Sequence, residues 1–141
     1  MLKGVDPLLS GELLRHLDEL GHGDVLALVD RNFPAYRYRR PVVELRGVDT
    51  GQAATAILSV LPLDGFVPHS IHRMEVDGEP DRVTAATAAL TAAAAQAEGR
   101  DVAVASLERF AFYERAEEAM VLVQTSETVP YSCYLLRKGV V

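Results

Sequence analysis

Leu20-Gly21-His22-Gly23-Asp24-Val25-Leu26-Ala27-Leu28-Val29-Asp30 sets the architecture of this chain. Residues 25 to 29 are uniformly apolar and stand between two aspartates. A run that short, with no polar alternation, is the pattern of a strand buried on both faces, as in a sheet covered by helices on each side. Upstream, Ser10 is placed to N-cap a helix in which Leu13, Leu14, Leu17 and Leu20 recur at helical spacing. Gly21 stands where a helix end favours a left-handed residue. The chain therefore opens as helix, glycine turn, buried strand.

The same alternation continues downstream. Asn32-Phe33-Pro34 marks a turn, and Val42-Val43-Glu44-Leu45 reads as a second strand. Asp49 and Gln52 have capping-box spacing for a helix whose buried stripe is Ala53, Ala56, Ile57, Val60 and Leu61, with Pro62 ending it. Residues 70 to 76 read as a strand followed by an Asp77-Gly78 turn. Residues 81 to 98, rich in alanine, read as a helix ended by Gly99. Strands at 102 to 105, 121 to 123 and 131 to 136 and a helix at 110 to 120 complete the set. The expectation is one α/β domain over residues 1 to 141, three-layer-like, with a mixed β-sheet and flanking helices.

Composition narrows the function. With 141 residues, 49% hydrophobic and 24% charged, the chain has the make-up of an ordinary folded domain. A net charge of -6 offers no footprint for nucleic acid, which needs a clustered excess of Lys and Arg. The local basic cluster Arg37, Arg39 and Arg40, interleaved with Tyr36 and Tyr38, reads either as an anion contact or as a solvated or subunit-contact loop. Cys133 is the single cysteine, so neither an intramolecular disulfide nor a Cys-rich metal framework is available. No stretch has the length and apolarity of a signal peptide or membrane span, and a reducing cytoplasm is the expected location.

Four places concentrate unusual chemistry. His22, between glycines at a helix-strand junction, reads as an uncovered imidazole able to exchange protons near neutrality, or as an incidental surface residue in a turn. Asp30, at the carboxyl end of the apolar strand, reads as an acceptor for sugar hydroxyls or an orienter of the histidine, or as a turn cap with Asn32. Arg109 places a cation at the unfavourable dipole end of a helix, as a ligand contact or a salt-bridge partner. Tyr131-Ser132-Cys133 enters the last strand after Pro130, and Cys133 has no base beside it to make it a nucleophile. There is no phosphate-cradling loop, dinucleotide fingerprint or metal motif. His69 and His72, in a predicted strand, would point to opposite faces.

In order and spacing these segments resemble the fucose mutarotase and ribose pyranase (RbsD/FucU) family from end to end. The segments are Met1-Leu2-Lys3, Pro7-Leu8-Leu9-Ser10, Gly21-His22-Gly23-Asp24, Asp30 with Phe33-Pro34-Ala35, Arg109 to Ala116, and Lys138-Gly139-Val140. Arg109-Phe110-Ala111-Phe112-Tyr113-Glu114-Arg115 is similar to the fucose branch. The resemblance implies a mutarotase interconverting the anomers, and also the pyranose and furanose forms, of a monosaccharide such as L-fucose. It further implies His22 as the catalytic residue, Asp30, Arg109, Tyr131, Ser132 and Cys133 as substrate-binding residues, and no cofactor or metal. The assembly it implies is a ring-shaped homo-oligomer, a decamer, with sites at subunit contacts. Cys133 stands where the family has Asn and Arg31 where it has a small residue. His72 and Arg73 replace mostly apolar positions, which makes a pocket for a methyl group more polar.

Ring opening needs one group to take the anomeric proton and another to protonate the ring oxygen, work for which His22 with a tyrosine or water suffices. Two other readings remain: a non-catalytic sugar-binding or transport-associated protein, and an aldose-ketose isomerase, which would call for a stronger base or a metal.

Overall fold

The computed structural model describes residues 1–141. Helix α1 spans Gly11–Glu19, and the Ser10 side chain accepts from the Leu13 N–H as the sequence predicts. Strand β1 is Val25–Val29 and β2 is Val42–Leu45, with a 3-10 turn at Ala35–Tyr38 between them that the sequence did not announce. Helix α2, Thr50–Leu58, opens on the Asp49/Gln52 capping box. The remaining elements are β3 (Ile71–Met74), α3 (Ala85–Glu98), β4 (Val104–Leu107), α4 (Arg109–Arg115), β5 (Ala119–Thr125) and β6 (Tyr134–Arg137).

Six strands form one mixed sheet in the order β2-β5-β1-β6-β3-β4. β2, β5 and β1 run parallel, as do β3 and β4, and β6 is antiparallel to both β1 and β3. β1 is buried at all five positions. Its Leu26 and Leu28 join the larger core with residues of α1, α2 and α3, while Val25, Ala27 and Val29 join a smaller core with Phe33, Tyr38 and Phe112. That split is the period-two alternation of a strand covered on both sides, and it yields the three-layer arrangement. Side chains such as Leu26, Ile57, Leu90 and Leu136, essentially inaccessible, each contribute about 1.5–3 kcal/mol of apolar burial.

Several boundaries differ from the sequence reading for identifiable reasons. The helix expected over 110 to 120 stops at Arg115, followed by a 3-10 turn at Ala116–Glu118. Ala119 already pairs with Val25, so sheet pairing overrides the helical preference of this stretch. α2 ends at Leu58 rather than at Pro62, with the Ser59 hydroxyl donating to the Ala56 carbonyl. α3 begins at Ala85, not 81, because Thr84 caps it through the Thr87 N–H. β4 sits two residues later than expected, β3 is shorter, and β6 begins at Tyr134. The residue ending α1 is Leu20 in an extended conformation, and the left-handed glycine of that loop is Gly23 (φ 89°), not Gly21.

Candidate active site

The sheet has two edges that matter. At the N-terminal edge of β1, the 21 to 24 loop is pinned by Gly23 N–H donating to the Lys138 carbonyl (2.8 Å) and Lys138 N–H donating to the Asp24 carbonyl (2.9 Å). The Lys138 ammonium also donates to the Leu17 and Leu20 carbonyls at the end of α1, where a cation is favoured. Held this way, the His22 side chain is 47% exposed, and its Nε2 lies 3.3 Å from Oδ1 of Asp64.

Asp64 is almost wholly buried. Its Oδ1 also accepts from the Phe66 N–H (2.9 Å), and its Oδ2 accepts from Arg137 Nε (2.9 Å). The Phe66 N–H, with Arg137 and His22 adding to it, holds this carboxyl below the usual carboxylate range despite burial. A carboxylate only accepts, so the facing Nε2 of His22 is the ring nitrogen that presents a hydrogen to Asp64, and Nδ1 lies outside this contact. The Phe66 ring meets the imidazole edge-on at 5.7 Å. Gly23 is required here: a Cβ would stand 2.9 Å from Nη2 of Arg137, on a backbone with φ of 89°.

At the opposite edge lie the carboxyl ends of β1, β3 and β4 and, because β6 is antiparallel, its beginning. Asp30 is buried there. Its Oδ1 accepts from the Asn32 N–H (2.9 Å) and the Phe33 N–H (3.1 Å), while Oδ2 has the Cys133 thiol at 3.5 Å. The turn-cap reading of Asp30 therefore holds through Oδ1, while Oδ2 is left to the Cys133 side. Arg109 is the first residue of α4, and its unfavourable placement is offset by Glu108, which accepts from the Phe110 and Ala111 N–H groups. The Arg109 guanidinium lies over the Phe110 ring (4.8 Å), with Nη2 at 3.6 Å from Asp77 and a buried Nε that has no hydrogen-bond partner.

Asp30, Phe33, Arg109, Tyr113, Tyr131 and Cys133 line a cavity of about 210 Å³. Tyr131 is held at φ 64°, a left-handed conformation uncommon for a bulky residue and of a kind that gathers at ligand sites. Cys133 is fully buried, and burial followed by the charge of Asp30 pushes its thiol well above the ordinary range. It is therefore protonated at neutral pH and no nucleophile.

Of the residues singled out in the sequence, Asp30, Arg109, Tyr131 and Cys133 converge. Ser132 is buried behind the cavity rather than in its lining, its hydroxyl unpartnered. His22 is not brought to them. It precedes the five-residue β1 and Asp30 follows it, which separates them within one chain by about 17 Å, the length of the strand. Asp30 therefore does not orient His22 of its own chain, and Asp64 does so instead.

Asp64 and Arg137 were missed by sequence reasoning, since Asp64-Gly65 reads as an ordinary turn. His69 lies ahead of β3, and its ring centroid is 6.4 Å from that of His72. The two are neighbours, not residues on opposite faces. Arg73 is buried, its guanidinium donating to the Pro80 carbonyl, and it lines neither cavity.

A small single-domain α/β protein with one mixed sheet and polar side chains gathered at both of its edges is the class that fold and site define. Within that class the chain belongs to the RbsD / FucU transport protein family, whose model matches residues 3–141. It is similar to the L-fucose mutarotase of Glaesserella parasuis serovar 5 (strain SH0165), with 36% identity over 140 residues, 99% of this chain and 96% of that one. Among solved structures it is similar to FucU from Bifidobacterium longum, with a TM-score of 0.91, 37% identity and 99% of each chain covered. It is similar too to the fucose mutarotase in complex with L-fucose from Streptococcus pneumoniae, with a TM-score of 0.89, 33% identity and 99% of each chain covered. No helix is long and apolar enough to cross a membrane.

Proposed function

We propose that the protein is a mutarotase that interconverts the ring forms of a monosaccharide, L-fucose or a related aldose. One observation carries the reading: a half-exposed imidazole tied through Nε2 to a buried carboxylate, in a chain alike from end to end with L-fucose mutarotases.

The His22 imidazole donates a proton from Nδ1 to the ring oxygen while water or a tyrosine such as Tyr131 takes the proton of the anomeric hydroxyl. The C1–O5 bond breaks, leaving the open aldehyde. Rotation about C1–C2 followed by the reverse proton transfers closes either anomer. The carboxylate of Asp64 stabilises the cationic imidazole before transfer and fixes its orientation afterwards. Proton transfer of this kind supplies about 10²–10⁴-fold, ample for a reaction that already proceeds in water.

The strand of about 17 Å between His22 and Asp30 gives the reading its quaternary form. A sugar is bound between the His22 edge of one subunit and the Asp30, Arg109 and Tyr131 edge of a neighbour. This is the arrangement of a closed ring in which every interface repeats the last. A decamer and a cytoplasmic location accompany this reading by family resemblance.

Saturation-transfer NMR of anomer exchange on L-fucose, ribose, galactose and rhamnose tests the activity. Accelerated exchange with an unchanged carbon skeleton is the expected result. Binding without acceleration would make the chain a sugar-binding module, and an altered skeleton would make it an isomerase.

A further inference from the structure

The cavity beside His22 carries a charge pattern that fucose does not explain. It encloses about 240 Å³ between β3, β6 and residues 67 to 69, and its apolar floor includes Val25 and Leu135. Its polar lining is His69, His72, Arg115 and Arg137, and it contains no carboxylate. Arg137 is answered from behind by Asp64. Arg115 is not answered in the same way. Its Nε is buried without a hydrogen-bond partner, and the Glu118 carboxylate, outside the cavity, stands 3.5 Å away without forming one. Burial, with Arg115 and His69 beside it, lowers the pKa of His72, so that ring is a neutral donor.

The cavity adjoins the reacting centre, because Arg137 has a part in both: its Nε holds the Asp64 that holds His22, and the same side chain lines the cavity. A methyl group placed here would cover two cations, Arg115 and Arg137, with hydrocarbon and offer them no acceptor, which is costly. Anionic oxygens would instead meet a guanidinium suited to planar, charge-assisted pairing, with imidazole N–H groups close by.

We infer that this cavity receives an anionic group on the exocyclic carbon of the aldose, so that the preferred substrate is a uronate or a sugar phosphate rather than a 6-deoxy sugar. This rests on the mutarotase reading and assigns the substrate class of the same site.

The test is anomer exchange by the full chain on D-galacturonate, D-galactose 6-phosphate, D-galactose, D-fucose and L-fucose. The expected result is a kcat/KM for an anionic sugar about tenfold or more above that for D-fucose, as one charge-assisted contact supplies, and a ratio near unity in Arg115→Gln. Preference for galacturonate assigns a carboxylate, and preference for the phosphate a phosphate ester. Exchange of neutral sugars with no anionic preference overturns this inference and leaves the mutarotase reading intact, and so does an anionic preference that survives in Arg115→Gln. Exchange of no sugar overturns both. Each ratio is internal to one protein sample, so partial loss of folded material does not disturb it.

Discussion

Asp64 Oδ1 lies 3.3 Å from Nε2 of His22, and the same carboxylate is anchored by Arg137 Nε and the Phe66 N–H. A buried anion with three separate donors around it is a fixed reference point, and the half-exposed imidazole is the movable partner. Asp64→Asn keeps the shape and removes the charge. Anomer exchange should fall by about 10- to 100-fold, part of the full general-acid contribution, mainly in kcat. An unchanged rate, with the fold intact by circular dichroism, would remove Asp64 from the mechanism.

Acid lability follows from two buried carboxylates. Asp64 is held below its ordinary range by the Phe66 N–H, Arg137 and His22. In Glu127 burial pushes upward, but N–H groups of Val129, Thr50 and Thr128 outweigh it and lower the pKa. Groups with depressed folded-state values stabilise the fold above their unfolded pKa, and that stabilisation is lost as pH falls through the folded values. Thermal melts should therefore show Tm declining below the ordinary carboxylate range, with a shallower decline in Asp64→Asn. Equal slopes in the two proteins would contradict the assignment.

Glu127 also ties β5 to α2, since its Oε2 accepts from the Thr50 N–H (3.1 Å) and its Oε1 from the Thr128 and Val129 N–H groups. Glu127→Ala leaves the buried Thr50 N–H unmatched, and denaturant unfolding should show a loss of about 1–3 kcal/mol.

Phe112 anchors α4. It is fully buried, with its ring edge-on to Phe33 at 6.0 Å. Phe112→Ala should cost about 3–5 kcal/mol and, by loosening the helix that begins with Arg109, raise KM for the sugar. A KM equal to wild type in folded Phe112→Ala would show that α4 holds its place by other means.

The Cys133 thiol, buried and raised by Asp30 beside it, should react with a thiol reagent at pH 8 only as fast as the chain opens. Reaction in the native protein at the rate seen in denaturant would contradict its burial.

The parts of the fold legible in the sequence were those set by local chemistry. Ser10, the Asp49/Gln52 box and Gly99 each satisfy helix ends through residues a few positions away, and the uniform run 25 to 29 states its own double-sided burial. The elements misplaced were those decided at a distance. Ala119 looks helical but is drawn into β5 by pairing with Val25 of β1, Met120 lies at the register shift that follows, and Tyr134 rather than Tyr131 starts β6.

The same division holds at the site. Asp30, Arg109, Tyr131 and Cys133 come to one cavity from the end of β1, the start of α4 and the approach to β6; the local reading placed only Asp30 at a strand's carboxyl end, and it was the family resemblance that grouped the four. The partner of His22 could not be read locally. Asp64 is 42 residues further along the chain and Arg137 another 73, counting from 22 to 64 and from 64 to 137, and only the sheet brings them together. The separation of His22 from Asp30, by contrast, was already implied by the strand read over 25 to 29, at about 3.3 Å per residue.

That separation is tested most directly by complementation. His22→Ala and Arg109→Ala, each inactive in anomer exchange on its own, are co-expressed so that mixed assemblies form. If sites are built from two subunits, random mixing gives about one-quarter of interfaces an intact His22 facing an intact Arg109, and saturation-transfer NMR should recover exchange near that fraction. No recovery in assemblies shown to be mixed, or full exchange by His22→Ala alone, would contradict a shared site worked by this imidazole.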